Sequence, residues 1–216
     1  MVKDIIVNLS VTKEGVVGKY AVSVAAALQA HLTGVAFVYD AVVPISGAGY
    51  IPAEVIEIQR DDNESAASAA IKTFNIATDQ AGISAESLTM NASLAAAGDQ
   101  FARMARRFDL AIVGQAQPDV SSVEQIIGET TLFESGRPVI MVPYIQKAPF
   151  KNDNVMICWD GSRTAAQAMV TLALRSGWPL RPCTVISRRS TPGSVRRCSC
   201  SNAFFGPCPA SSSWPR

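Results

Sequence analysis

The chain has 216 residues, of which 48% are hydrophobic and 17% charged, with a formal net charge of +1. That length holds one domain of ordinary size and part of another, and the apolar content excludes wholesale disorder, a collagen-like repeat and a small disulfide scaffold. The near-zero charge argues against a dedicated nucleic-acid binder, but it averages two unlike parts: residues 1–168 hold 12 Lys/Arg against 18 Asp/Glu, whereas residues 169–216 hold seven Arg and no acid.

The elements follow in chain order. Ile5-Ile6-Val7 is a short apolar run that suits a buried strand. Val17, Tyr20, Ala21, Val24 and Leu28 recur at three- and four-residue steps, which gives a helix one apolar face, and Gly34 reads as its terminator. Val35–Tyr39 is a second strand, rich in β-branched and aromatic residues. A loop over residues 40–52 carries Pro44, Gly47, Gly49 and Pro52, and a long helix over about 53–81 ends at Gly82. Strands are expected over 84–91, Leu110–Val113 and Pro138–Val142, with helices over Ala95–Arg107 and 122–135 between them. Strands alternating with helices require crossover connections, so the fold class is α/β, a five-stranded parallel sheet sandwiched by helices over residues 1–143. In such sheets ligands sit beyond the carboxyl ends of the strands, where the strand order reverses.

A polar linker over 144–153 leads to a second start. Asn154-Val155-Met156-Ile157-Cys158-Trp159-Asp160-Gly161-Ser162 aligns with the segment beginning Asp4-Ile5-Ile6-Val7, at a constant offset of 150, and a helix follows in both. Residues 154–174 are therefore the beginning of a second, truncated copy of the first domain.

These pieces carry a family resemblance. Trp159-Asp160-Gly161-Ser162-Arg163, Asp109-Leu110-Ala111-Ile112-Val113-Gly114 and Gly136-Arg137-Pro138-Val139-Ile140-Met141-Val142-Pro143 occur in the order and at the spacing of a tandem universal stress protein. The chain resembles that family over residues 1–168. The resemblance implies an adenine-nucleotide α-hydrolase-like sheet, a protective or regulatory role without a defined metabolic reaction, and a homodimer or larger homo-oligomer. It also implies an adenine nucleotide, ATP in some members, as ligand.

Nucleotide-binding members carry Gly-x2-Gly-x9-Gly followed by Ser or Thr after the fourth strand. Glycines are needed there because phosphates must approach backbone N–H groups at the start of a helix. Gly114 matches the first glycine, but the second falls on Gln117, followed by Pro118 and Asp119. The third falls on Ile127, with Gly128 one residue late and Glu129 in place of the hydroxyl residue. A carboxylate there repels phosphate, so ATP binding is expected to be weak or absent. The family also places an Asp at the end of the first strand, against the adenine. Ser10 stands there in the first copy and Asp160, with Gly161 and Ser162, in the second. A strand-to-helix position gives Asp160 or Ser162 an alternative role as helix cap. The candidate binding residues are thus Gly114, Gly128, Asp160, Gly161 and Ser162, with no catalytic residue and no metal ligand.

Other chemistries fail on their residues. There is no Walker loop, no G-x-S-x-G elbow, and Gly47-Ala48-Gly49 lacks the third glycine of a dinucleotide fingerprint. His31 is the sole histidine, so a His-based triad or metal site is not expected; near a helix C-terminus it would meet the helix dipole. Arg106-Arg107 has the same structural reading. A nucleotide-dependent enzyme of the wider adenine-nucleotide α/β group is the runner-up, disfavoured because no acid, base and nucleophile assemble in the sequence.

Met1–Ser10 lacks the basic start and long apolar run of a secretory signal, and no stretch of about 18 uncharged apolar residues exists. A cytoplasmic protein with reduced thiols and no membrane contact is expected. The tail over 175–216 is biased: residues 169–216 hold four of the five Cys, six of the twelve Pro and two of the three Trp. Such content is what a GC-rich gene gives when read out of frame, with a shift between about Ala168 and Leu180. The rival is a basic arm for nucleic acid or anionic lipid; the frameshift is favoured because basic arms are seldom so rich in Cys and Trp. Either way an unordered tail is expected, with only Val185-Ile186 resembling a strand.

Overall fold

Strand order decides where a ligand can sit in this molecule. The computed structural model describes residues 2–9, 15–40, 53–117, 123–151, 156–159, 162–168, 183–188 and 195–200, and divides into a unit over Val2–Phe150 and a second from Lys151. In the first unit β1 (Asp4–Asn8), α1 (Val16–Leu28), β2 (His31–Tyr39), α2 (Ala53–Ala81), β3 (Ala85–Ala92), α3 (Ala97–Ala105), β4 (Leu110–Gly114), α4 (Val123–Glu134) and β5 (Val139–Val142) alternate along the chain. The five strands form one sheet in the order β3-β2-β1-β4-β5, every pairing parallel. The chain first builds outward from β1 through β2 to β3, then returns to β4 on the other side of β1. The reversal lies between β1 and β4.

Period-two alternation loads both faces of this sheet. Ile5, Val7 and Leu9 pack with α1 and α2, among Val17, Ala21, Val24 and Phe74. Ile6 points the other way, into a core with Phe37, Phe101, Ala111 and Ile127 under α3 and α4. The apolar strands are continuous because neither face meets water. Asp109 pins the amino end of the sheet: its Oδ2 accepts from the Lys3 N–H at 2.9 Å and the Asp4 N–H at 3.4 Å.

Three local readings are corrected. Gly34 does not end α1. That helix ends at Leu28, with Gln29 in the left-handed region at φ 53° and its N–H on the carbonyls of Ala25 and Ala26. Gly34 lies inside β2, which begins at His31 rather than Val35. His31 accordingly sits on a strand, its Nδ1 2.8 Å from Ser84 Oγ, and not at a helix end. Arg106 does act at helix ends, with a partner the sequence did not supply. Its Nε and Nη2 donate to the carbonyl of Glu134 at the end of α4, while Arg137 donates from Nε and Nη2 to the carbonyl of Arg106.

In the second unit β6 (Met156–Trp159) pairs parallel with β7 (Cys183–Arg188), which pairs antiparallel with β8 (Val195–Cys200). β7 contains Val185-Ile186; β8 has no counterpart among the sequence expectations. The remainder of the tail lies outside the described residues.

Candidate functional site

The carboxyl edge of the first sheet is built by ladder bonds that run to its end. The Leu9 N–H donates to the Val35 carbonyl at 2.8 Å, the Asp40 N–H to the Ala92 carbonyl at 3.1 Å, and the Gln115 N–H to the Val142 carbonyl at 2.8 Å. Next to the reversal point stands Asn8, the last residue of β1. Alternation places it on the face of Ile6, and it is 3% exposed. Its Oδ1 is buried and has no hydrogen-bond partner among the described residues. Gln100, on α3 over the same face, has a buried Oε1 in the same condition. An unpaired buried acceptor costs about 1–3 kcal/mol, so a central strand ending in Asn carries a penalty that Val or Ile would avoid.

Tyr39 ends β2 on the same face of the sheet, four residues beyond Val35, the partner of Asn8. It stacks on Phe37, centroids 6.2 Å apart and planes at 27°, and Phe37 meets Phe101 edge-on at 6.5 Å. Burial, and secondarily the Glu124 carboxylate in the first turn of α4, push the Tyr39 hydroxyl well above its ordinary range, so it remains a neutral donor. The Tyr39 carbonyl accepts from Asn63 Nδ2 at 2.9 Å, which ties α2 to the end of β2.

The structure brings two of the sequence candidates together, by close packing. Gly114 closes β4, and a Cβ built there would stand 3.0 Å from Val17 Cγ2 on α1. Gly128 lies inside α4, where a Cβ would stand 3.3 Å from Met141 Cε on β5 and 3.8 Å from the Gly114 carbonyl oxygen. Both glycines let helices lie close to β4 and β5. Ile127, at the third motif position, is buried in the core. Gln117 is exposed, and Glu129 accepts from Gln125 Nε2 at 2.9 Å. Ser162 caps the helical segment 163–168: its Oγ accepts from the Ala165 N–H at 3.1 Å. Ser10, Pro118, Asp119, Asp160 and Gly161 lie outside the described residues.

Sequence reasoning passed over Asn8 and Tyr39. The available signal was a lone amide closing an apolar run in the strand next to the reversal point. Among the described residues no group of three or more His, Cys, Asp or Glu could hold a metal ion, and no described helix is long and apolar enough to cross a membrane. What the described edge offers is an amide at the end of β1 and a phenol at the end of β2.

No protein-family model matches the chain, and no curated protein matches it. Solved structures do. One is a universal stress protein in complex with cAMP, at 16% identity, covering 65% of this chain and 96% of that one, with a TM-score of 0.43. Another is the universal stress protein UspA from Lactobacillus plantarum, at 16% identity over 65% and 97% of the two chains, with a TM-score of 0.49. A third is a universal stress family protein from Arabidopsis thaliana with AMP bound, at 11% identity over 65% and 91%, with a TM-score of 0.43. These are structures to which the chain is similar. The five-stranded parallel sheet, with its reversal between β1 and β4, ends in Asn8, Tyr39 and Gly114 at its carboxyl edge.

Proposed function

We propose that the first unit is a non-catalytic, regulatory binding domain of the universal-stress type, which takes an adenine-type ligand at the carboxyl edge of β1. The observation that carries this reading is the buried Asn8 Oδ1 at the sheet's reversal point, which has no partner among the described residues. A carbonyl oxygen in that position accepts an N–H, such as the exocyclic amine of adenine, and the half-buried Tyr39 ends β2 on the same face of the sheet. Two of the similar structures hold adenine nucleotides, cAMP and AMP; the reading here rests on Asn8.

The phosphate half of the site is degenerate in this reading. Gly128 serves packing against Met141, and Gln117 and Glu129 replace the glycine and hydroxyl that a phosphate loop needs. The base is therefore recognised and the phosphates are not. Asp160 and Gly161 remain proposed ligand contacts of the second copy, with Ser162 given to capping. The domain works in the cytoplasm and associates with itself. β5 is an outer strand that exposes Met141, and Phe133 of α4 and Ile145 after β5 are exposed apolar side chains.

Calorimetric titration with adenosine tests the site. Saturable binding to the wild-type chain and its loss in Asn8→Leu support the reading. Equal heats from the two proteins, or no binding to either, contradict it.

A further inference from the structure

On the α1/α2 side of the sheet the first unit carries a groove of about 490 Å³ between α1, α2 and the chain after β5. Its walls are fixed by specific contacts. The Gln146 N–H donates to the Pro143 carbonyl at 2.9 Å, and Gln146 Nε2 donates to the Ala148 carbonyl at 2.8 Å. The Phe150 N–H donates to Ser23 Oγ at 2.8 Å, and the Phe150 ring meets Tyr20 edge-on at 6.0 Å. These bonds hold the segment after β5 down on α1 and make it a wall rather than a loose strand of chain.

The lining combines two cations with apolar and hydroxyl surface. Lys19 comes from α1 and Lys147 from the segment after β5; Tyr20, Thr73 and Pro149 line the groove with them. No acidic residue is among the described lining. Two ammonium groups in one concavity raise the local concentration of anions, and a volume of this size lies in the ordinary range for small-molecule sites. We infer that this groove is a second binding site, distinct from the carboxyl edge, for a small phosphate monoester with a flat apolar body. The two lysines take the dianionic phosphate through charge-assisted hydrogen bonds, and Tyr20 and Pro149 take the apolar part.

The probe is phenyl phosphate, with phenol as the uncharged control, added to the full chain and followed by amide chemical shifts. The site predicts saturable shifts at Lys19, Tyr20, Thr73, Gln146 and Lys147 with phenyl phosphate and none with phenol. The double variant Lys19→Gln/Lys147→Gln should weaken binding at least about tenfold, with an unchanged far-ultraviolet circular dichroism spectrum. Asn8→Leu, which alters the other site, should leave it unchanged. Shifts that do not saturate by about 10 mM, where binding is worth only about 3 kcal/mol, would overturn the inference. So would equal shifts from phenol, or full binding in the lysine double variant.

Discussion

Phe74 of α2 lies so close to Gly34 of β2 that a Cβ built on the glycine would stand 2.8 Å from Phe74 Cε1 and 3.0 Å from both Cδ1 and Cζ. Phe74 is 2% exposed and belongs to the core under α1 and α2, so its ring has nowhere to move. Gly34→Ala is therefore expected to destabilise the first unit by about 1–3 kcal/mol, the usual cost of overpacking. Adding Phe74→Leu should restore part of the alanine's own penalty, because the two effects share one contact. Denaturant unfolding of the four proteins measures this. Additive losses would show that the contact is not what keeps position 34 a glycine.

That pair also marks where sequence reading works and where it stops. Ile5-Ile6-Val7 and Ala111-Ile112-Val113 declare central strands, because only a strand covered on both faces is apolar at every position. Gly34 reads as a helix stop because Gly commonly is one. Its actual reason, an aromatic ring arriving from a helix some forty positions later, is a tertiary fact. Glycines 114 and 128 are similar: spacing raises a phosphate loop, and the close approach of Val17 and Met141 is visible only in the fold. Asn8 was visible as a residue but not as a site, since an unpaired oxygen is defined by what surrounds it.

Asn8 yields the second prediction. If its amide is kept for a ligand, the free protein bears the desolvation of Oδ1. Asn8→Leu should then raise stability by about 1 kcal/mol, or roughly 2–4 °C in Tm for a chain of this size. Scanning calorimetry of the ligand-free proteins checks it. A clear fall in Tm would mean that the amide supports the fold.

The third prediction concerns alkaline pH. Burial first, and the Glu124 carboxylate second, raise the Tyr39 hydroxyl above its ordinary value of 10.0; burial raises Tyr20 as well. Each tyrosine keeps its proton in the folded chain at pH values where the unfolded chain has lost it. Their contribution is complete below pH 10 and declines as pH rises above it. Tyr39→Phe should flatten the stability decline measured by denaturant midpoints between about pH 9 and pH 11. An unchanged slope would place Tyr39 in contact with water.

The fourth concerns association. Phe133 of α4 is 78% and Ile145, after the outer strand β5, 70% exposed. Light scattering should report a dimer or larger species, and Phe133→Glu with Ile145→Lys should shift it toward monomer without lowering Tm by more than about 1–2 °C, as for exposed positions. A wild-type monomer at high concentration would remove this surface from the account.

The central claim is that the carboxyl edge recognises a base and not its phosphates. Calorimetric titration of the full chain with adenosine and with ATP, under one buffer, tests it most directly. The account predicts that ATP binds more weakly than about 100 µM, which is about −5.5 kcal/mol, and that adenosine binds within about tenfold of it, a difference of less than about 1.4 kcal/mol. A micromolar constant for ATP that is lost with adenosine would show a working phosphate loop after β4 and contradict the claim.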